Sequence, residues 1–231
     1  MSGASNWLAE AWETGNSLAP LPPEVAPLDI AEGEAQAAAL VEALGLPVCG
    51  LRLARGPGGN WLSAPLLEGR MLRAGTPVAL AALRRPRLSA GVLGVLATPL
   101  EAEGEGEAEF SALYPALDVA ATRFTEGPAD AAQLVADLGG LGQVLVGKRS
   151  LAPLPASAEA RLGRRGARPR PIHESLGALM ARAAAEARRW GGLPAGAVLL
   201  VSGLGGEAEP QPGEKWSAAI HGVGRIGGEF V

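Results

Sequence analysis

Apolar positions along this chain change period several times, and the changes mark out its elements. Within residues 5–14, Trp7, Leu8, Ala11 and Trp12 recur at helical spacing, and Gly15 follows, so an amphipathic helix carrying those four on one face is expected. Pro20, Pro22, Pro23 and Pro27 then hold the chain extended. Asp29 is placed to cap an Ala-rich helix over residues 30–44 that ends at Gly45. From Pro47 the period drops to two: Val48, Gly50, Arg52 and Ala54 alternate with Cys49, Leu51 and Leu53, as in a strand with unlike faces. A glycine-rich loop follows at 55–60. Apolar runs at 78–83 and 88–96 flank a basic turn at 84–87 and predict two strands. The alternating Glu and Gly of 101–109 read as an exposed connection; ordering those carboxylates around a metal would cost about 1–2 kcal/mol per residue.

The remaining pattern predicts a strand at 113–120, a helix at 129–138 and a strand at 143–146. Residues 153–171 are polar and proline-bearing, so a loop with strand fragments is expected. Residues 174–190 form the clearest helix. Leu176, Leu179, Met180 and Ala183 face inward, whereas Arg182, Glu186 and Arg189 face out. Strands are expected at 197–201, 215–220 and 225–231, and no repeat of 20–50 residues is visible.

Composition narrows the function classes. With 231 residues, 48% of them hydrophobic, the chain can bury a sizeable core as one folded unit. A formal charge of −4 leaves no overall positive field for nucleic acid, and the basic cluster from Arg161 to Arg170 reads as a solvated loop. Cys49, the only cysteine, allows no intrachain disulfide; its apolar neighbours suggest a buried, inert thiol in a reducing compartment. Residues 1–20 have neither a basic start nor an apolar core, and the apolar run at 88–100 is shorter than the roughly 20 residues of a spanning helix, so a cytoplasmic protein without membrane contact is expected. His173 and His221 are too far apart for a helical metal pair. Ser63, Ser175 and Ser202 lack a nucleophile elbow, and no phosphate loop or dinucleotide fingerprint is present. The five tryptophans are scattered, as core or interface anchors would be.

More specific information lies in the tail. The helix at 174–190 runs into Leu193-Pro-Ala-Gly-Ala-Val-Leu-Leu-Val-Ser-Gly-Leu-Gly-Gly206, then Pro212-Gly-Glu-Lys-Trp216 and Gly222-Val-Gly-Arg-Ile226. Upstream stand Pro47-Val-Cys-Gly-Leu-Arg52, Pro86-Arg-Leu-Ser-Ala-Gly-Val-Leu-Gly-Val-Leu96, Tyr114-Pro-Ala-Leu-Asp-Val119 with Arg123-Phe124, Val135-Ala-Asp137 and Val144-Leu-Val-Gly147. In this order they resemble the 2-keto-4-pentenoate hydratase and 4-oxalocrotonate decarboxylase family of the fumarylacetoacetate hydrolase superfamily, over most of the chain. The resemblance implies an α+β fold, a twisted mixed-sheet roll with flanking helices. It implies a helical N-terminal arm at 1–46 and a hydratase-like domain at 47–231. It also implies a homo-oligomer, for which Trp7 and Trp12 of the arm would offer an apolar contact.

The resemblance further implies a magnesium or manganese site made by the two glutamates of a Glu-x-Glu strand and a third from Pro-Ala-Leu-Glu. Residues two apart on a strand share a face and can converge on one ion. Here those positions hold Ser89, Gly91 and Asp118. Two anionic ligands are missing, so no tightly bound cofactor is expected, with Asp118 the one remaining candidate metal ligand. Arg52 stands at the family's lysine; being always protonated, it cannot serve as a general base. Leu138-Gly-Gly-Leu141 replaces an Asn-rich stretch, and Val201-Ser202 replaces Thr-Gly.

Candidate catalytic residues are Arg52 and Asp118, and candidate substrate-binding residues are Arg52, Ser89, Ser202 and Gly203. Each has a plainer reading. Asp118 at a strand end could be held by a backbone amide, Arg52 could simply pair with Asp118, Ser89 could be a small packing residue, and Glu68, near the stretch that closes family sites, reads as solvated. Two function classes stand open. One is a protein acting on or binding small 2-oxo acids of aromatic catabolism with metal-dependent lyase activity impaired. The other is a non-catalytic carboxylate-binding or scaffolding paralogue of an active partner enzyme.

Overall fold

One apolar stripe each, and in the second helix a cap at both ends, explain α1 (Gly3–Thr14) and α2 (Ile30–Leu44) in the computed structural model, which describes residues 3–231. The first two residues of the expected 1–46 arm therefore lie outside the described residues. Asp29 accepts a hydrogen bond from the Glu32 amide, which satisfies one orphan donor of the first turn, and Glu32 accepts one from the Leu28 amide just before the cap. Gly45, at φ 60, closes the other end with its N–H on the Val41 and Glu42 carbonyls. In α1 the buried stripe is Ala4, Ser5, Leu8 and Ala11, not the face expected from Trp7 and Trp12. Trp7 is 43% exposed, because the spacing i, i+4, i+7 selects the smaller residues for the packed face.

The strands follow as β1 (Val48–Arg55), β2 (Trp61–Leu67), β3 (Met71–Arg73), β4 (Arg87–Leu96), β5 (Leu100–Glu101) and β6 (Phe110–Ala120). After the short helix α3 (Ala131–Ala136) come β7 (Gln143–Val146), β8 (Ala158–Arg164) and β9 (Ile172–Glu174). Helix α4 (Leu176–Arg189) leads into β10 (Gly192–Leu193), β11 (Val198–Ala208), β12 (Lys215–Ile220) and β13 (Gly224–Glu229). Seven strands form one mixed sheet in the order β2-β1-β11-β4-β6-β7-β3, with β1/β11 and β3/β7 parallel and the other neighbours antiparallel. A second, antiparallel sheet has the order β13-β12-β8-β9, and β5 pairs with β10.

Both faces of the large sheet are covered. Leu51, Leu53, Val92, Leu117 and Leu199 point to one face, where Met180 and Ala183 of α4 and Leu162 and Ile220 of the second sheet pack on them. Leu66, Leu93, Ala116 and Leu200 point to the other, under Leu8 of α1, Ala37 and Leu40 of α2 and Ala136 of α3. Among the described residues, no helix is long and apolar enough to cross a membrane.

Three local expectations are corrected. Residues 78–83 are not a strand: Val78 bridges Phe230, and the chain then enters a 3-10 turn at Leu80–Ala82. β2 and β3 were not anticipated. Pro65 reads as a breaker, but β2 is an edge strand, where a residue without an N–H is tolerated. The basic segment beginning at Arg161 is not all loop. Ala158, Ala160 and Leu162 are buried, while Arg161 pairs with Glu159 and Arg164 with Glu214.

Cys49 is half-buried and donates its S–H to the Leu66 carbonyl at 3.4 Å. Burial pushes its thiol up to about 11, so the reactive thiolate is scarce at neutral pH. Trp12 is used within the fold. Its ring centroid lies 4.3 Å from the Arg70 guanidinium and 4.1 Å from that of Arg123, and its Nε1 donates to Asp137 at 3.3 Å. Only Trp7 of the pair remains exposed for an outside contact.

Candidate ligand-binding site

Alternation puts Arg52 of β1, Ser89 of β4, Asp118 of β6 and Ser202 of β11 on one face of the large sheet, since their sequence neighbours Leu51, Ala90, Leu117 and Val201 belong to the opposite core. All four are buried, and with Gly203 they line one cavity of about 510 Å3. Ser89 and Asp118 are direct cross-strand partners. β1 and β6 stand three places apart in the sheet order, which in a flat sheet would separate them by about 14 Å. Arg52 nevertheless reaches Asp118, so the sheet curls around this face.

The contact is a fork onto one oxygen. Arg52 donates Nε at 2.9 Å and Nη2 at 2.6 Å to Asp118 Oδ2, and Nη1 at 2.8 Å to the Gly139 carbonyl. Arg52 is 3% exposed and Asp118 1%, so the pair is held away from water. Leu138, Gly139 and Gly140 take φ values of 51, 62 and 67, a tight left-handed turn that presents the Gly139 carbonyl. A Cβ on Gly139 would stand 3.3 Å from Arg52 Nη1, so glycine there makes room for the guanidinium. Leu138-Gly-Gly-Leu141 therefore replaces side-chain polarity with a main-chain acceptor, which residue type alone did not reveal.

A register shift in β11 just after Ser202 turns the Gly203 N–H onto Ser89 Oγ at 2.9 Å. Gly203 sits at φ 85 with a built Cβ only 2.6 Å from Arg55 Cβ, so no other residue fits. Three buried polar atoms of the lining residues lack a partner: Asp118 Oδ1, Ser202 Oγ and Arg55 Nε. Such atoms call for a ligand or water, because a lone buried polar group costs about 1–3 kcal/mol. Arg55, Arg85, Arg87, Glu126 and Glu207, none singled out by the sequence, also line the cavity. Arg55 pairs with Glu174 at 3.2 Å and Arg87 with Glu209 at 2.6 Å. Glu68, His173 and His221 are exposed and outside it.

The positions at which the resemblance implies a cation do not fit one. Half of the Asp118 carboxylate is taken by a guanidinium and Ser89 Oγ is engaged by a backbone N–H. A side chain at position 91 would begin with a Cβ 2.9 Å from the Val201 carbonyl oxygen, so Gly91 packs β4 against β11 instead of supplying a ligand. Among the described residues, no group of three His, Cys, Asp or Glu could hold a metal ion. A hard cation takes about six oxygen donors, water included, and relies on carboxylates to displace part of its water shell; this set offers one free carboxylate oxygen, beside an arginine, and two hydroxyls.

A second buried carboxylate, Asp137, carries structure. It accepts from Arg123 Nε at 2.6 Å, the Arg123 amide at 2.9 Å, Thr122 Oγ1 at 3.2 Å and Trp12 Nε1, while Arg123 also donates to the Leu141 and Ala121 carbonyls. This network locks α1 and the end of α3 to the segment after β6.

This architecture recurs in solved structures. The fold is of the fumarylacetoacetate hydrolase type. The chain is similar to 4-oxalocrotonate decarboxylase from Pseudomonas putida G7, complexed with calcium and acetate in one structure and with magnesium and adipate in another. In both comparisons the identity is 17%, the TM-score 0.78, and the match covers 99% of this chain and 96% of the other. It is similar too to fumarylpyruvate hydrolase from Pseudomonas aeruginosa in complex with Mn2+ and pyruvate, at 15% identity and TM-score 0.59, covering 80% of this chain and 91% of that one. No family model matches the sequence, and a search of curated proteins found no match.

Proposed function

We propose that the protein binds a small 2-oxo acid in the cavity floored by Arg52, Ser89, Asp118 and Ser202, and that metal-dependent lyase chemistry is impaired there. The observation that carries this reading is the Arg52–Asp118 fork: one carboxylate oxygen is neutralised by an arginine and the other is unpartnered and faces no cation ligand set. Arg52 spends three of its five N–H groups on Asp118 and Gly139. The two that remain suit a ligand carboxylate. Ser202 Oγ is free to donate to the same ligand, and Asp118 Oδ1 to accept from an enol or hydroxyl group. The cavity volume is within the range of small-molecule sites. Relatives by fold complexed with acetate, adipate and pyruvate favour a carboxylate over other anions.

On this reading residues 47–231 form the ligand-holding domain and 1–46 an arm. On the same reading Asp118 Oδ1 would take a proton from a bound enol, and the Arg52 guanidinium would offset the negative charge left on the enolate oxygen. A divalent cation would supply Lewis-acid stabilisation of that charge in an intact site.

Thermal shift and calorimetry with pyruvate and adipate, with and without manganese, test the reading alongside turnover of 2-hydroxypenta-2,4-dienoate. Binding that needs no metal and is lost in Arg52→Met supports it. Manganese-dependent turnover abolished by Asp118→Ala would replace it with an intact lyase. Neither binding nor turnover would leave a scaffold.

A further inference from the structure

A second cavity, about 640 Å3, lies between the C-terminal end of α1, the turn at residues 80–85 and the segment after β6. Its charged lining residues are Arg70, Arg84, Arg85 and Arg123, with no Asp or Glu among them. This is a local reversal of sign in a chain whose formal charge is −4. Arg123 is accounted for by Asp137. The other three arginines pair with no carboxylate among the described residues.

Arg70 is the informative one. It is half-buried against the Trp12 ring, and burial together with the nearby Arg123 charge holds its guanidinium below the ordinary arginine value. A cation kept beside a second cation, partly out of water and without a counter-charge, is stabilised by any anion that enters. Arg84 and Arg85 belong to the turn that forms another part of the lining, and Arg85 takes φ 48, unusual for a residue with a side chain and more so before Pro86. Both residues of that turn are exposed and line this cavity, and Arg85 also borders the first cavity beside Gly127.

We propose that this second cavity is a binding site for a polyvalent oxyanion, a phosphate group free or carried on a small molecule, gripped by Arg70, Arg84 and Arg85. A single carboxylate would leave two of the three cations unmatched. A phosphate or diphosphate supplies the charge and the acceptor oxygens that several guanidinium forks require. The site is separate in chemistry from the first cavity, although Arg85, Ala121 and Thr122 line both, so an anion here would border the 2-oxo acid cavity across a shared wall.

The test is calorimetric titration of the full chain at low salt with inorganic phosphate, pyrophosphate and citrate. One-to-one pyrophosphate binding is expected, tighter than citrate, weakened about tenfold by Arg84→Ser and by Arg70→Met. Inorganic phosphate binding as tightly as pyrophosphate points to the free ion; a clear preference for pyrophosphate points to a phosphorylated ligand. Arg84 is exposed, so its variant remains decisive if loss of the Trp12 contact unfolds Arg70→Met. No pyrophosphate or phosphate binding by the unmodified protein, binding indifferent to Arg84→Ser, or tighter binding of citrate would overturn the proposal.

Discussion

Arg52 places Nε and Nη2 on the same oxygen of Asp118 and leaves Oδ1 without a partner, across a sheet in which β1 and β6 are not neighbours. Removing either partner strands a buried charge. Asp118→Leu should cost about 3–5 kcal/mol, whereas Arg52→Met combined with Asp118→Leu should cost far less than the two single changes summed. Urea unfolding of the four proteins measures the coupling. Equal, additive losses would show that the pair is only a contact of convenience.

Two small residues beside the pair fail for different reasons. Gly91→Ala drives a Cβ to 2.9 Å from the Val201 carbonyl oxygen, a strand-spacing clash that should cost about 1–3 kcal/mol. Ser89→Ala keeps the volume but leaves the buried Gly203 N–H unpaired, with a loss of about 1–3 kcal/mol. Amide exchange separates them. The Gly203 N–H should lose protection selectively in Ser89→Ala, while Gly91→Ala should loosen the β4/β11 ladder as a whole.

Cys49 gives a pH-dependent expectation. Its thiol is raised to about 11 by burial, so folding favours the protonated form. The associated stability is fully present below the ordinary thiol value and is lost as pH rises through about 11. Iodoacetamide should therefore modify the native protein at pH 8 much more slowly than the urea-unfolded chain. Between pH 9 and 11 the unmodified protein should lose stability faster than Cys49→Ala. Equal alkylation rates in the folded and unfolded chains would refute a shielded thiol.

The part of the site carried by strand alternation was readable beforehand. Arg52, Ser89 and Asp118 sit on strands whose apolar neighbours declare the other face, and their meeting in one cavity required only that the sheet curl. The Gly139 carbonyl was not readable, because it is main chain, presented by a left-handed turn whose direction depends on distant packing. Helical spacing offers Trp12, on one face with Trp7, Leu8 and Ala11, as a contact between copies, and it does not show that Arg70 and Arg123, 58 and 111 residues further along, converge on its ring. β2 carries Pro65, whose tolerance depends on being at an edge, a property of the whole sheet that no local pattern shows.

Manganese provides the last expectation. The unmodified protein should bind it only weakly at Asp118, because Arg52 already occupies Oδ2 and Ser89 offers a hydroxyl engaged with Gly203. Ser89→Glu adds an anionic donor directly across the strand pair from Asp118, and Arg52→Lys removes the forked grip, so the two together should tighten manganese binding by at least about tenfold. Adding Gly91→Glu should give no further gain and should destabilise the fold instead, since its Cβ has no room beside the Val201 carbonyl. The loss of a ligand at position 91 is thus built into the spacing of β4 and β11, and not only into residue identity. Calorimetric titration with manganese, paired with urea unfolding, checks both halves. Micromolar binding by the unmodified protein that vanishes in Asp118→Ala would show that the cation site is intact, and the reading of an arginine-neutralised carboxylate would have to be given up.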